Sequence, residues 1–225
     1  MKVILSRKGV DSEAGGGWSP SFSTGQFLSI PIPYEHSPVT YDEPDTELPG
    51  VKYAALVNDL LGLSGSAFAH LDPDLRRGAR GGRNANWRPA YGQNGAPLTH
   101  LKNQQVGTGD LFIFYGRFRS VWGPPWRYRR HPDYRNGDFH AAFGWLKVGQ
   151  VVNLDSEQMP DGNEDHPHAH GVFRGGNVVY LAADELGIRG LDSAPGAGVL
   201  EAGPLSRTVF DWTSGGLTPP LKVYG

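Results

Sequence analysis

The spacing of apolar residues predicts several short β-strands and few helices. Alternating or continuous apolar runs favour strands over residues 2–5, 27–32, 111–115, 139–152 and 178–182, with one or two more within 200–210. The longest of these strands should bend at Gly144 or Gly149. Helical spacing predicts one clear helix over residues 51–63, a shorter helix over 99–105 and a single turn over 183–186.

Long segments between these elements lack any periodicity. Residues 76–97, 118–137 and 153–171 are polar or rich in Gly and Pro, and the whole chain holds 32 Gly and 18 Pro. The sequence contains no internal repeat and no linker between two cores. We therefore predict a single α+β domain over residues 1–225, with a mixed, mostly antiparallel sheet or a partly closed β-barrel, few short helices and long loops.

Composition restricts the compartment and the chemistry. None of the 225 residues is Cys, which excludes disulfides and thiolate metal ligands and fits a reducing compartment. The sequence has no signal-peptide pattern and no apolar run of about 18 residues. We therefore expect a cytoplasmic protein without a membrane partner.

The charge of the chain is unevenly distributed. The net charge is −2, but residues 76–135 carry 12 Lys and Arg against two acidic residues. The remainder of the chain has 9 basic and 21 acidic residues. A basic segment within an acidic protein indicates a localised anion site, such as one for a nucleotide or DNA. Chance clustering on a solvated surface is the alternative.

Two short motifs are candidates for phosphate binding and acid–base chemistry. Ser6, Arg7 and Lys8 precede a Gly turn and could hold a phosphate, while Asp11 could orient them or act as a base. A surface turn with ion pairs is the alternative. Residues 70–74, His-Leu-Asp-Pro-Asp, could bind Mg²⁺ or supply an acid and a base, and ordinary helix capping is equally consistent with this motif.

Arginines alternate with aromatic residues between positions 117 and 135. Guanidinium groups pair with phosphates and stack on bases, and aromatic faces stack on any base. Arg–aromatic packing inside the protein is the alternative. We expect Arg117 and Arg119 to contact a nucleotide, so that replacing both by Ala would weaken nucleotide or DNA binding and reduce its dependence on salt.

Residues 165–170 place a His at every second position. In an extended chain His166, His168 and His170 would lie on one side and could ligate Zn²⁺ or another transition metal, with His140 or a carboxylate completing the site. A polar loop with one catalytic His and no metal is the alternative. A divalent metal is therefore a candidate cofactor, and the sequence leaves the cofactor otherwise unknown.

Two predicted strands resemble part of a known fold. Gly109-Asp110 and the strand that follows, then the insertion and the strand from His140 to Val148, resemble PUA-like domains, the fold class of the EVE and ASCH domains. This resemblance implies a small β-barrel that holds a modified or flipped base. An antiparallel pair in an unrelated sheet is the alternative.

A series of short motifs also runs in order along nearly the whole chain. They are Ser6–Gly9 with Asp11 and Ser12, Leu28–Pro33, His70–Asp74, Gly92–Ala96, His100-Leu101 with Asn103-Gln104 and Val106-Gly107, Gly109–Phe112, Phe114–Arg119, Gly144–Leu146 and His166–His168. Together they resemble the nucleotide modification associated domain family, the third of its numbered types. The resemblance implies association with systems that modify DNA or nucleotide bases, and it does not specify the reaction. The chain departs from the family in the Arg-rich residues 76–88 and in its tail.

The leading hypothesis is an enzyme, or an enzyme component, that acts on a nucleobase or nucleotide in DNA modification. Its expected partners are a nucleotide or DNA and other base-modification enzymes. The candidate acid–base residues are Asp11, Asp72, His140 and His168. The candidate substrate-binding residues are Ser6, Arg7, Lys8, Asp110, Arg117 and Arg119, together with Gln93, Gln104 and Trp145 for contact with the base. Glycosyl transfer, hydrolysis at an activated base and group transfer remain open.

Two other functions are compatible with the same residues. One is a non-catalytic reader of a modified base with a PUA-like pocket, which needs aromatic walls and amides but no ordered acid–base pair. The other is a metal-dependent hydrolase centred on His166 and His168, in which the basic segment steers the substrate.

Overall fold

The computed structural model describes residues 1–132, 138–191 and 193–200, and the backbone of 209–210, 212–213 and 216–217. Within these residues the strands are β1 (Val3–Arg7), β2 (Ser19–Ser21), β3 (Ile32–Pro33), β4 (Ala69–His70), β5 (Ala90–Asn94), β6 (Leu111–Trp122), β7 (Arg129–Arg130), β8 (Phe139–Asn153), β9 (Asn177–Ala182), β10 (Ala197–Val199), β11 (Val209–Phe210), β12 (Trp212–Thr213) and β13 (Gly216–Leu217). The helices are α1 (Tyr53–Leu61) and α2 (Gly95–Asn103). Short 3₁₀ turns cover Arg77–Ala79 and Pro167–Ala169.

The largest sheet is mixed and mostly antiparallel. Its central order is β1-β6-β8-β9-β5, in which β1 runs parallel to β6 and the other neighbours are antiparallel. Strand β2 adds to β6 in parallel, while β7 pairs with β6, and β10 and β11 with β8, in antiparallel fashion. The sheet does not close into a barrel. The predicted α+β class is confirmed in its open-sheet form.

Strand β6 contributes to two hydrophobic cores. Phe112, Phe114 and Phe118 occupy alternate positions, point to one face of the sheet and are fully buried in a core that helix α2 joins through Leu98 and Leu101. Farther along the same strand, Val121 packs with helix α1 in the second core. Because burial of large aromatic side chains is a major source of stability, this strand is the main structural support of the molecule.

Strand β8 is irregular at the two glycines that the sequence singled out. Its pairing with β9 shifts register between Val148 and Gln150, which leaves Gly149 unpaired in a bulge. A Cβ atom at Gly149 would lie 2.7 Å from the backbone nitrogen of Ala183, so a larger residue would not fit without movement. A second register shift, in the pairing with β6, lies beside Gly144.

Other predicted elements were placed with mixed success. Helix 51–63 and strands 2–5, 111–115, 139–152 and 178–182 are confirmed, although their ends differ, and helix 99–105 begins earlier, at Gly95. The predicted strand 27–32 is wrong for most of its length. Its backbone makes separate hydrogen bonds to Pro20 of β2 and to Val10 in the loop after β1, and these do not form a continuous ladder. Residues 183–186 form no helical turn, since Glu185 forms a β-bridge with Pro195.

Two segments predicted to be irregular contain regular structure. Strand β5 lies within residues 76–97, where β9 supplies the partner that its polar sequence did not reveal. Strand β6 extends into residues 118–137 as far as Trp122, and there it forms a hairpin with β7. Most of residues 200–210, predicted to hold a strand, lie outside the described residues, while 209–210 pair with β8. No helix in the described part of the chain is long and apolar enough to cross a membrane.

Candidate active site

A buried ion pair joins the end of the first strand to the loop after β4. Lys8 follows β1, and its Nζ donates a hydrogen bond to Oδ2 of Asp72 at 3.0 Å. The side chain of Asp72 is completely buried, and that of Lys8 is 16% exposed. The Lys8 ammonium also lies 4.4 Å from the centroid of the Tyr91 ring, in a cation–π contact. A charged pair this deeply buried needs further partners to be stable.

Those further partners bind the second carboxylate oxygen of Asp72. Oδ1 accepts a hydrogen bond from the backbone N–H of Gly92 at 2.7 Å, and Nε2 of His166 lies 3.5 Å away. In His166, Nδ1 accepts from the backbone N–H of His168, so in the neutral ring the proton is on Nε2 and faces the carboxylate. The carboxylate of Asp72 is thus held on three sides by groups from distant parts of the chain.

The imidazole of His168 is held in one orientation by Asn177. Nδ1 of His168 lies 2.6 Å from Oδ1 of Asn177, whose Nδ2 donates to the backbone carbonyl of His168 at 2.9 Å. This second bond fixes which amide atom faces the ring, so Nδ1 must be the protonated nitrogen. The neutral His168 ring therefore keeps the lone pair of Nε2 available to accept a proton.

Aromatic rings surround His168 and the neighbouring His70. His168 stacks on Phe173 with ring centroids 4.4 Å apart, and His70 from β4 contacts His168 edge-on at 5.3 Å. Tyr34 lies against both His70 and Phe173. The rings form an apolar wall around groups that can transfer protons.

The environment shifts the pKa of each member in a direction that follows from burial and charge. Burial lowers the pKa of His70 to about 3 and that of His168 to about 4, although the Asp72 carboxylate opposes both shifts. For Asp72 itself, burial opposes ionisation, but Lys8 and His166 outweigh it and hold the pKa well below the usual value. Burial would likewise lower the pKa of Lys8, yet Asp72 and Tyr91 raise it. At neutral pH the cluster thus combines a charged Lys–Asp pair with neutral His70 and His168.

The polar side chains of Ser6, Tyr91 and Gln93, on strands β1 and β5, lie next to this cluster. Ser6 and Lys8 project to the same side of the chain, as alternate residues do, and Oγ of Ser6 lies 3.1 Å from the hydroxyl of Tyr91. Nε2 of Gln93 donates to the same hydroxyl at 2.7 Å. Two of the predicted substrate-binding residues, Ser6 and Gln93, therefore lie beside the Lys8–Asp72 pair.

Comparison with known proteins identifies the family. A family model described as nucleotide modification associated domain 3 matches residues 2–221. The chain belongs to this family. The resemblance inferred from the sequence motifs is confirmed, and family membership associates the chain with nucleotide modification. No curated protein and no solved structure matches.

Several of the motifs that carry the family resemblance meet in the cluster. Lys8, Asp72, Gly92, His166 and His168 come from four such motifs that are far apart in the sequence. His70 also belongs to one of these motifs, whereas Asn177 and Phe173 belong to none. The nucleotide modification associated domain thus has a buried polar centre assembled from its most recognisable segments.

The structure places two predicted residues of the first motif away from this cluster: Arg7 at the end of β1 and Asp11 in the turn that follows. Oδ1 of Asp11 accepts hydrogen bonds from the backbone N–H groups of Glu13 and Ala14, and Oδ2 pairs with Arg7 at 2.9 Å. Arg7 alternates with Lys8 and projects to the opposite side of the chain. Both oxygens of Asp11 therefore help to shape the turn after β1.

The remaining predicted residues are also positioned outside the cluster. Asp110 accepts from the backbone N–H groups of Lys2 and Gly107, and the indole N–H of Trp145 donates to Pro195. Gln104 is exposed at the end of α2, and His140 on β8 pairs in register with Arg117. Arg117 and Arg119 both form ion pairs with Asp138.

The three alternating histidines do not lie on one side. The segment forms a 3₁₀ turn over Pro167–Ala169, so the expectation of an extended chain is wrong. His166 and His168 are buried, whereas His170 is exposed and its Nε2 lies 2.6 Å from the carbonyl oxygen of Glu164. Among the described residues, no group of three or more His, Asp or Glu side chains is placed to hold a metal ion.

The Arg-rich residues 76–88 bind mainly to the protein itself. Arg76 pairs with Glu47, Arg80 with Glu43 and Asp165, and Arg83 with the buried Asp74. Arg77 donates to the backbone carbonyls of Asn84, Ala85 and Trp87. These arginines therefore fasten a long loop whose composition suggested an exposed Arg-Gly segment.

A cavity of about 610 Å³ lies along the loop that carries Asp72. Its walls include Asp72, Asp74, Arg76, Tyr53 and Phe143, so polar and aromatic groups face a space of the size usual for a bound small molecule. In the described part of the chain, Oδ1 of Asp74 is buried and accepts no hydrogen bond. Burial raises the pKa of Asp74, although Arg83 opposes this shift. Asp74 thus belongs to the cavity wall, and its unpaired Oδ1 is buried within that wall.

Gly92 is required for His168 to occupy its place. A Cβ atom at Gly92 would lie within 2.5 Å of three atoms of the imidazole ring. We expect Gly92→Ala to displace His168 from Asn177 and to lower the free energy of unfolding by about 1–3 kcal/mol, as overpacking does. Urea unfolding measures this loss. The control is Gly107→Ala, where a Cβ meets no atom within 4 Å and the change should stay within about 0.5 kcal/mol. Equal effects of the two substitutions would show that the ring is not packed against Gly92.

Proposed function

We propose that this chain is an enzyme, or an enzyme component, that acts on a nucleobase or nucleotide in DNA modification. The observation that supports this proposal is the cluster of Lys8, Asp72 and His168, in which a buried ion pair adjoins an oriented neutral imidazole. Family membership supports the same substrate class. Ordered titratable groups of this kind, buried among aromatic rings, are typical of reaction centres.

In the proposed reaction, His168 is the general base. Its Nδ1–H is held by Asn177, as a catalytic imidazole requires for a fixed tautomer, and Nε2 accepts the proton from the substrate or from an attacking group. Burial sets the pKa of His168 at about 4, and the negative charge of a bound nucleotide would raise it by stabilising the imidazolium. Lys8 then provides positive charge near the phosphate, and Asp72 keeps that charge in place.

The surroundings of His168 supply groups for a base. Tyr34, which is partly exposed beside this centre, offers a ring for stacking, and the amide of Gln93 can read the edge of a base by hydrogen bonding. The cavity on the Asp72 loop offers room for a further part of the substrate. Proton transfer is the step that these residues support; glycosyl transfer, hydrolysis and group transfer all include such a step.

The two alternatives receive less support from the geometry. A reader of modified bases needs no ordered acid–base cluster, and the open sheet lacks the barrel that the PUA-like resemblance implies. A metal-dependent hydrolase needs a ligand set, and the described residues bring His166 and His168 to a Lys–Asp pair instead. The enzyme without a resident metal is the function that the cluster fits best.

A thermal-shift screen with a matched pair of histidine variants tests this proposal. The panel contains nucleoside monophosphates, modified nucleosides and Zn²⁺, each added to the wild type, His168→Asn and His170→Asn. His168→Asn keeps a donor for Asn177 but loses Nε2, whereas His170 is exposed on the same segment. We expect one class of nucleotide to raise the unfolding midpoint of the wild type and of His170→Asn, by mass action, and His168→Asn to lose this shift.

The same screen separates the possible outcomes. Nucleotide binding that survives in His168→Asn would contradict the assignment of the reaction centre. A shift with Zn²⁺ and none with nucleotides would favour the hydrolase. Asp74→Asn tests the cavity, because loss of the nucleotide shift in this variant would show that the substrate extends into it. Nucleoside analysis by mass spectrometry, after incubation of DNA or the bound nucleotide with the protein, then tests for turnover.

A further inference from the structure

The hairpin formed by β6 and β7 presents two exposed tryptophans. Trp122, the last residue of β6, is 51% exposed, and Trp126 in the turn is 58% exposed. The base of the hairpin is anchored, because Tyr128 is buried against Phe22 and its backbone N–H donates to Oδ2 of Asp59 at 2.8 Å. The indoles are therefore held out by a fixed support and not by a loose loop.

The backbone of the turn is also specific. Trp126 adopts a φ of 65°, a conformation that costs free energy for a bulky side chain and is usually kept where the surrounding structure imposes it. Gly123 has a φ of 99°, and a Cβ atom there would lie 2.5 Å from the carbonyl oxygen of Arg127. The turn thus places Trp126 outward at a conformational cost. Burial of the indole within the described structure does not repay this cost.

The charge around these tryptophans has one sign. Residues 117–132 contain five Arg and no acidic residue. Arg117 and Arg119 share the single carboxylate of Asp138, which offsets one of their two charges, whereas Arg127 and Arg129 are exposed and have no acidic partner within the described residues. We name the four residues Trp122, Trp126, Arg127 and Arg129 the hairpin tip.

We propose that the hairpin tip binds single-stranded nucleic acid. Indole faces stack on unpaired bases, and guanidinium groups pair with the phosphates between them. A duplex keeps its base faces stacked inside, so it offers the tryptophans no equivalent surface. The combination of flat aromatic faces and uncompensated positive charge matches a polyanion with exposed aromatic rings. It matches a neutral or acidic protein surface less well.

The position of the tip implies a polymer rather than a free nucleotide as substrate, and this step rests on the proposed function. Tyr115 pairs with Arg7, next to Lys8, and Trp122 lies seven residues farther along β6. At the rise of an extended strand this separation is roughly 23 Å. A mononucleotide at the Lys8–Asp72 cluster does not span such a distance, whereas a strand of several nucleotides does.

Fluorescence anisotropy with a labelled 20-nucleotide oligothymidylate tests this inference directly. We expect the wild type to bind it more tightly than the corresponding duplex, and Trp122→Ala with Trp126→Ala to weaken binding at least tenfold, because two stacking contacts are lost. Arg127→Ala with Arg129→Ala should reduce the slope of log affinity against log salt by about 1.4, since two phosphate contacts disappear. Lys102→Ala with Arg189→Ala, two exposed cations outside the hairpin, is the matched control and should leave that slope unchanged.

Other outcomes would overturn the inference. They are tighter binding to the duplex, equal losses in the control pair and the tip pairs, or no oligonucleotide binding by the wild type. Binding of the wild type to anionic lipid vesicles and not to the oligonucleotide would identify a membrane surface as the partner and overturn it as well. Failure of the proposed function would look different from failure of this inference. In that case nucleotides would still raise the unfolding midpoint of His168→Asn, while oligonucleotide binding would still depend on the hairpin tip.

Discussion

Replacing Lys8 by Met should lower the free energy of unfolding by about 3–5 kcal/mol, because the substitution leaves the Asp72 carboxylate buried without its cation. The side chain of Asp72 has no exposure to water, so solvent cannot compensate the charge. The hydrogen bond from the backbone N–H of Gly92 and the contact with His166 remain, but a backbone N–H carries no formal charge that could replace the ammonium. Urea unfolding at pH 7 measures the loss.

Two further variants test whether the unpaired charge is the cause. Lys2 forms an ion pair with Asp110 at 3.6 Å, but its side chain is 51% exposed, so Lys2→Met should cost less than about 1 kcal/mol. Adding Asp72→Asn to Lys8→Met removes the stranded charge and keeps an acceptor for Gly92, so stability should partly return. A cost for Lys8→Met as small as that for Lys2→Met would contradict the burial of the pair.

The strands that could be predicted are those whose own residues dictate them. In β6 and β8 the alternation of large apolar and smaller or polar residues is strong enough to specify a strand without knowledge of its partner. Strand β5 reads Ala-Tyr-Gly-Gln-Asn, which carries no such signal, and it forms because β9 supplies its hydrogen bonds. Pairing with a distant strand is a tertiary effect that a local pattern does not contain.

The candidate site was predictable in part for a similar reason. Lys8, Asp72 and His168 are titratable residues in conspicuous motifs, so the sequence indicated that each could bind a substrate or transfer a proton. It did not indicate that the three lie close together. Gly92 and Asn177 act through geometry, one by having no side chain and the other by holding a ring, and neither role is visible before the chain is folded. A Gly in one of the family motifs was the available signal for the first of them.

The predictions based on charge need the largest revision. A run of arginines predicts an anion site only if their partners are not already in the protein, and that condition depends on residues elsewhere in the chain. Arg76 and Arg80 are paired with acids of the loop over residues 42–47, and Arg83 with Asp74. Much of the excess positive charge of this segment is therefore compensated in space by the excess negative charge of another.

Acidification from pH 6.5 to pH 4 should destabilise the protein by roughly 3 kcal/mol through His168 alone. The imidazole has a pKa of about 4 in the folded protein and about 6.5 when unfolded. Between these values the unfolded chain binds a proton that the folded protein does not, so the free energy of unfolding falls as the pH falls. His70, with a pKa of about 3, adds a loss of the same sign, while Asp72 stays ionised throughout this range.

The variant His168→Asn separates this contribution from general acid unfolding. Chemical unfolding at half-unit steps between pH 7 and pH 4 should show a slope smaller than that of the wild type by up to about 1.4 kcal/mol per pH unit, the value for one proton. His170→Asn, which removes an exposed imidazole from the same segment, is the control. Identical slopes for the wild type and His168→Asn would mean that His168 is not a buried neutral base. The proposed reaction centre requires that state, because a ring already protonated at neutral pH has no lone pair with which to accept a proton from the substrate.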